Sequence, residues 1–261
     1  MNTLTAMSGW LWIKRGFQIF RKQPTEMLTL FFVYMFFNMG IGLIPFIGQF
    51  LPLLLVPVFA LNFMQACRQI ESGERVYPNL LLTGFRSPAF SNLLKLGGLY
   101  VLAVALAIAT SSLFDGGVFW NVVTSTAPVD PKNLSESALR LGVTIAALAY
   151  VPAMMAFWYA APLIAWNNMS VSKAVFYSFF AVWRAAKSFL VYGLAWFMIS
   201  VLLSSVLSLL VAITHGSGAT LMMILMPLSI AMTVVMYCSF YPSYTDVFGP
   251  PEIGTHIEEV A

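Results

Sequence analysis

The chain alternates between long apolar stretches and short polar ones. Six stretches of 17 to 26 residues carry almost no charge; they are residues 27–44, 50–66, 93–114, 141–166, 189–213 and 219–241. A helix of about 20 apolar residues crosses the hydrocarbon core of a bilayer, which is about 30 Å thick. The pattern therefore predicts an all-α fold: a polytopic membrane helix bundle of about six transmembrane helices, arranged as three hairpin units.

The first two apolar stretches are the shortest, with 18 and 17 residues. The turn between them, residues 45–49, carries no charge, and Pro52 and Pro57 interrupt the second stretch. A proline inside a helix removes one backbone hydrogen bond and clashes with the preceding turn. We expect two short spans here, with a re-entrant hairpin as the alternative.

Residues 8–24, ahead of the first span, have the pattern of an amphipathic interfacial helix. At 100° per residue the polar side chains fall within an arc of roughly 120°. These side chains are Lys14, Arg15, Gln18, Arg21 and Lys22. A helix that is basic on one side and aromatic on the other lies in the headgroup plane and attracts anionic lipid. We therefore expect lipid headgroup contacts from the four cations, Lys14, Arg15, Arg21 and Lys22.

The alternative for this segment is a plain extension of the first span. Pro24 favours a bend between the two, because a proline does not continue the hydrogen-bond ladder of the preceding helix.

Two later connectors, residues 68–92 and 170–187, also have an amphipathic composition. Gly84-Phe85 in the first repeats Gly16-Phe17 of the opening helix. In the second, small residues recur at positions i, i+4, i+7 and i+11 of a predicted helix, opposite larger apolar residues. The small residues are Ala174, Ser178, Ala181 and Ala185.

A connector, an outgoing span and a return span form a unit that occurs three times. A proline lies in or at the start of each return span, at Pro52, Pro152 and Pro227, and a polar residue follows sixteen positions later. Internal repeats are common in membrane folds and in transporters often frame a central site. We expect a threefold repeat, with coincidence among hairpins as the alternative.

The composition excludes a soluble fold. Of the 261 residues, 60% are hydrophobic and 9% are charged, whereas about 25% are charged in soluble domains. Eleven of the 13 lysines and arginines precede the first span, lie in the two connectors or, as Lys95 does, lie at the start of the third span next to its connector; only Lys132 and Arg140 lie between the third and fourth spans. Since loops rich in lysine and arginine stay in the cytoplasm, we expect one membrane domain, residues 1–261, with both termini and the tail 242–261 cytoplasmic.

No predicted span holds a lysine, an arginine or a carboxylate in its middle third. Proton- and ion-coupled transporters keep such a group at membrane depth, so we expect no ion coupling. The notable polar groups, Asn38, Asn62 and Gln65, are candidates for lining a substrate path. Hydrogen bonds between helices, worth about 0.6–2 kcal/mol each, are the favoured explanation for them.

Sequence motifs for enzymes and metal sites are absent. His215 and His256 belong to no H-E-x-x-H motif, and the chain has no G-x-S-x-G. Cys67 and Cys238 are isolated, and we expect buried free thiols at both positions. The sequence therefore predicts no catalytic residue, no metal site and no cofactor.

The opening residues, Trp12 to Pro24, read W-x-x-x-G-F-x-x-F-R-K-Q-P. Together with the six apolar stretches, this motif resembles an uncharacterised family of proteobacterial integral membrane proteins. Residues 172–184 are more loosely similar to connectors of YciC-like membrane proteins and of the membrane domain of some glycerophosphodiester phosphodiesterases. The resemblance implies a bacterial inner-membrane location and supplies no mechanism.

These observations favour a non-enzymatic inner-membrane protein that organises lipid locally or interacts with other membrane components. Its expected partners are membrane lipids, preferentially anionic; no nucleic acid is expected, and a protein partner or homo-oligomer is left open. The alternative is a transporter or flippase-like carrier for a neutral or amphipathic solute, supported by the repeat and the proline-broken return spans. A membrane-embedded enzyme ranks third, and only a bound cofactor or metal would support it.

Overall fold

The computed structural model describes residues 4–44, 48, 50–124, 135–213 and 218–251. The elements in these residues are all helices: α1 (Ser8–Lys22), α2 (Pro24–Gly42), α3 (Leu51–Ser72), α4 (Leu80–Arg86), α5 (Phe90–Asp115), α6 (Val118–Thr124), α7 (Glu136–Phe157), α8 (Ala160–Trp166), α9 (Val171–Arg184), α10 (Ala186–Ile213) and α11 (Gly218–Phe248). Six segments are long and apolar enough to cross a membrane, namely α2, α3, α5, α7 with α8, α10 and α11. The all-α bundle with six transmembrane helices is therefore confirmed. Lys132, His215, His256 and the tail from residue 252 lie outside the described residues.

Proline and glycine determine several helix ends. Gln23 has a non-helical backbone (φ −144°, ψ 67°), and Pro24 is the first residue of α2, where its missing N–H removes no helical hydrogen bond. The bend expected at Pro24 is thus confirmed. Gly73 and Gly116 follow the last residues of α3 and α5 with φ of 83° and 66°, a left-handed conformation that glycine adopts without steric strain.

Two of the return spans extend beyond the apolar stretches that predict them. α3 continues past residue 66 to Ser72, and α11 continues through Pro242, where the tail was expected to begin, to Phe248. The extensions carry buried side chains, since Ile70 and Tyr244 are each 2% exposed. Packing against the bundle stabilises helix in this more polar part of the chain. The predicted tail therefore begins as part of α11.

The third helix lies at the centre of the bundle. α3 contacts α2, α4, α5, α8 and α11. In its most apolar stretch 61% of the residues are buried, whereas in that of α10 only 6% are buried. Most apolar side chains of α10 therefore face lipid or other membrane components, while those of α3 form the protein core.

Each connector helix packs against a return span. α4 packs on α3, and α9 packs on α7 and α8; in both cases the partner is the return span that precedes the connector in the chain. α1 has no preceding span, and it packs on α11, the last return span, and on α10. Because an even number of spans separates them, the three connectors lie at one end of the bundle, called the connector end below. A threefold repeat predicts this cyclic arrangement.

Candidate functional site

The opening helix is packed into the bundle along one side. Gly9, Trp12, Gly16 and Ile19 of α1 are buried, and this spacing places them on a single helix face. A methyl group on Gly16 would lie 2.7 Å from the Cα atom of Ser239 in α11. The two helix backbones therefore approach each other closely, as is common where small residues line a contact between membrane helices.

A polar junction joins this face to the end of α11. Asp246 accepts a hydrogen bond from the Trp12 indole Nε1 at 2.9 Å, and it accepts two from the Arg15 guanidinium at 2.7 and 3.1 Å. Trp12 is fully buried, and its ring meets that of Phe189 edge-on at 5.2 Å between centroids. The bidentate geometry is the strong form of an arginine–carboxylate pair. It ties the first helix to the last one across 231 residues.

The predicted headgroup contacts fall into two groups. Arg15 is engaged by Asp246, although its side chain remains 41% exposed. Lys14, Arg21 and Lys22 are exposed, and none of them has a carboxylate partner in the part of the chain that the structure describes. The Arg21 guanidinium lies 6.0 Å from the Phe17 ring centroid, within the range of a cation–π contact. Three of the four cations are therefore exposed, and the fourth is shared with Asp246.

The third connector presents its small residues to the bundle and its aromatic residues to the surroundings. Ala174 and Ser178 of α9 are completely buried, and Ala181 is 7% exposed. The exposed side chains on the opposite side are Phe176, Tyr177, Phe180 and Trp183. The Lys173 Nζ lies 5.9 Å from the Tyr177 ring centroid. α9 thus carries aromatic rings with a cation beside them at the connector end, as α1 does with Trp10 and Phe17.

The glutamine of the opening motif has a structural role. The Gln23 side-chain Nε2 donates to the carbonyl of Glu74 at 2.6 Å, and its Oε1 accepts from the backbone N–H of Val76 at 3.0 Å. The carboxamide therefore holds the loop that follows α3 by two hydrogen bonds. Arg75 in the same loop forms an ion pair with Glu26 at 3.1 Å. The motif residues Trp12, Gly16 and Gln23 all fasten the connector end together.

The three polar residues considered for a substrate path do not bond with one another. Asn38 donates to the carbonyl of Tyr34 in its own helix at 2.8 Å. Asn62, which is 1% exposed, donates to the carbonyl of Leu81 at 2.9 Å and so joins α3 to α4. Gln65 is 8% exposed, and its Oε1 has no hydrogen-bond partner among the described residues.

The fourth transmembrane segment is interrupted between α7 and α8. The backbone N–H of Tyr159 donates to Ser178 Oγ at 2.9 Å, and Ser178 Oγ donates to the carbonyl of Met155 at 3.0 Å. In an unbroken helix that N–H would bond directly to that carbonyl. The Ser178 hydroxyl is therefore inserted into the helical ladder, a known cause of sharp breaks. Pro162 contributes, because it has no N–H to donate to the carbonyl of Trp158.

A cavity of about 200 Å³ adjoins this break. Its walls come from all three return spans and from α5, so it lies where the three units meet. Most of the lining side chains are aromatic rings or methionines, including Tyr100, Tyr150, Phe157, Trp158, Tyr237 and Met64. Tyr100 stacks on Phe157 with 4.3 Å between ring centroids, and no charged residue of the described part of the chain lines the space.

Sequence reasoning missed the residues of this cavity. Aromatic residues in an apolar stretch have the same pattern whether they form core, face lipid or line a cavity. Pro162 was the one available signal, because a proline late in a span indicates a local break in the helix. Asp246 was missed because it lies in the segment expected to be tail.

The long apolar helices, the central α3 and the connectors at one end define a polytopic α-helical membrane protein. The chain is 39% identical over 256 residues to a Burkholderia thailandensis protein described as a probable inner membrane protein, and the match covers 96% of this chain and 94% of the relative. The chain belongs to the same family as that relative, and it is a multi-pass inner-membrane protein. No family model matches the sequence, and no solved structure matches it.

Proposed function

We propose that the protein is a non-enzymatic membrane-organising component that gathers anionic lipid around its connector end. The observation that carries this proposal is the orientation of α1 and α9. Both helices bury their small residues against the bundle and expose aromatic rings with cations beside them. Aromatic rings favour the bilayer interface, and each nearby cation contributes about 1 kcal/mol of attraction to an anionic surface.

Lipid binding by the purified full-length chain tests this proposal. Native mass spectrometry of protein titrated with phosphatidylglycerol or phosphatidylcholine would count the lipids retained at each concentration. Changing Lys14, Arg21 and Lys22 to Gln should reduce phosphatidylglycerol affinity by up to about 100-fold at low salt, because about 3 kcal/mol of attraction is removed. The wild-type preference for phosphatidylglycerol should also weaken as salt is raised.

The matched control changes Lys132 and Arg140, the two cations between the third and fourth spans in the sequence, to Gln. We expect the control to retain phosphatidylglycerol like the wild type, because Arg140 pairs with Glu136 at the start of α7, whereas α9 bonds to Met155 near the end of that helix. Equal retention of the two lipids by the wild type would contradict the proposal. Equal losses in the two variants would contradict it as well.

We also infer that the connector end faces the cytoplasm, together with both termini, from the one-sided distribution of lysine and arginine. Single cysteines at Ser72 and Ser125, in a chain without Cys67 and Cys238, test this orientation. A membrane-impermeant thiol reagent should label position 125 and not position 72 in cells with a permeabilised outer membrane. The opposite pattern would reverse the topology. The motif from Trp12 to Pro24 leads us to place the chain with the uncharacterised proteobacterial family that it resembles.

A second candidate is a carrier for a neutral or amphipathic solute, and the interruption between α7 and α8 favours it. Discontinuous helices at the interface of repeated units form the substrate sites of many transporters. Purified protein in liposomes, supplied with a panel of amino acids, sugars and lipid analogues, tests this function. Exchange without a pH gradient would support the carrier. Accumulation driven by an imposed pH gradient would contradict our expectation that there is no proton coupling.

A further inference from the structure

The central cavity has the size of one substituted ring. Its volume is about 200 Å³, and an apolar protein cavity of about 150 Å³ is large enough to bind benzene. Complete small-molecule sites are larger, about 300–1,000 Å³. The cavity therefore has room for the ring of an amphiphile, while the remainder of such a molecule would stay outside.

The lining is suited to an uncharged ring that accepts hydrogen bonds. Trp158 meets Phe240 edge-on at 5.1 Å, and Tyr100 stacks on Phe157 at 4.3 Å, so the walls offer ring faces and edges to a planar ligand. The Tyr100 hydroxyl reaches the carbonyl of Phe157 only at 3.5 Å, a long and weak contact. Among the described residues no hydrogen bond engages the Tyr150 hydroxyl. Both hydroxyls are thus donors that a ligand acceptor can use.

Access to the cavity is from the lipid-facing surface. Met154 lines the cavity and is 42% exposed on α7, and Tyr150, one turn away on the same helix, is half-buried. A charged ligand is disfavoured, because none of the described residues that line the space is charged and transfer of an unpaired charge to such a site is costly. A molecule already dissolved in the bilayer meets no such barrier.

From this geometry we propose that the central cavity binds the ring of a neutral, bilayer-dissolved amphiphile that carries carbonyl or ether oxygens. Tyr150 and Tyr100 donate hydrogen bonds to these oxygens, and Trp158 packs against the ring. The proposal does not depend on headgroup binding at the connector end. The proposal names a ligand class for the carrier function, on which it partly rests. The experiment measures binding without transport, so ring binding and transport can each fail independently.

The probe is a decyl-substituted benzoquinone, whose ring quenches tryptophan fluorescence on contact. Titrated into purified full-length protein in detergent, it should quench fluorescence with saturation. Trp158→Phe should remove most of the saturable quenching. Trp196 lies between α10 and α11, outside this cavity, so Trp196→Phe should retain the saturable quenching. Tyr150→Phe should weaken binding about fivefold, the typical effect of one lost hydrogen bond.

Two further arms decide the ligand class. Ala60→Leu fills the cavity from the α3 side and should abolish saturable quenching, while changing Lys14, Arg21 and Lys22 to Gln should leave it unchanged. 1-Decanol, which has the chain and no ring, should compete at least tenfold less well than an unlabelled ring analogue. Non-saturating quenching that is equal in all variants would overturn the site. Equal competition by decanol would overturn the ring assignment.

Discussion

Asp246→Ala should release α1 from the bundle while the six transmembrane helices stay assembled. The substitution removes the acceptor of three hydrogen bonds that join α1 to α11. It leaves the contacts between the transmembrane helices themselves intact. We therefore expect a local opening at the connector end rather than global unfolding.

The size of the effect follows from the burial of the two donors. Trp12 is fully buried, so its indole N–H would lose its acceptor while buried, which costs about 1–3 kcal/mol. The Arg15 side chain is 41% exposed, so its ion pair counts as a surface pair worth about 0.2–1 kcal/mol. Together these contributions reach about 1–4 kcal/mol. The population of the open form should rise about 5- to 700-fold.

Thiol labelling measures that population. Ser239 is completely buried, and α1 covers it at Gly16, so Ser239→Cys in a chain lacking Cys67 and Cys238 reports on the departure of α1. When closing is faster than labelling, the rate of reaction with N-ethylmaleimide is proportional to the open population. The rate should rise by the factor given above in Asp246→Ala.

Glu136→Ala is the matched control. It removes the ion pair between Glu136 and Arg140 of α7, at the opposite end of the bundle. The Glu136 side chain is 78% exposed and the Arg140 side chain is 77% exposed. We expect less than a twofold change in labelling, because exposed pairs of this kind contribute about 0.3–0.5 kcal/mol. The same labelling rate in Asp246→Ala as in the unsubstituted chain would refute the role assigned to the junction. An equal increase in the control would refute the calculation from burial.

Two other predictions concern the core. Gly97→Ala should lower the melting temperature in detergent, because the new methyl group would meet the carbonyl of Leu54 and overpacking costs about 1–3 kcal/mol. In the control Gly98→Ala the methyl group meets no neighbour, so the melting temperature should stay unchanged or rise slightly. Equal losses in the two variants would contradict the close approach of α3 and α5. Cys67 and Cys238 are free and completely buried, so neither thiol should react with N-ethylmaleimide until the protein is denatured. If protein that has been alkylated in cells changes its mass when it is then reduced, the prediction of free thiols is contradicted.

Local pattern was enough to predict the spans and the break at Pro24. About 20 apolar residues are needed to cross a bilayer, and each span satisfies its own backbone hydrogen bonds. A run such as residues 189–213 therefore identifies a transmembrane helix without reference to any other part of the chain. The same holds for the amphipathic pattern of residues 8–24, which the structure places in α1 (Ser8–Lys22).

Local pattern did not indicate which side of each helix faces protein. In α9 the small residues around Ser178 are buried and the large ones, such as Trp183, are exposed. That is the reverse of a water-soluble helix, where large apolar residues form the buried side. In a membrane both the protein interior and the lipid are apolar, so close approach of small residues, and not hydrophobicity, selects the buried side.

The sequence by itself determined the number of spans and the accumulation of lysine and arginine at one end. Only the tertiary structure decided that Arg15 pairs with Asp246, that Ser178 interrupts the fourth span at Tyr159, and that aromatic residues of α5, α7 and α11 line one cavity. Each of these contacts joins residues that are distant in the chain. Periodicity describes neighbours within one helix, whereas such pairings depend on how the helices are arranged around α3.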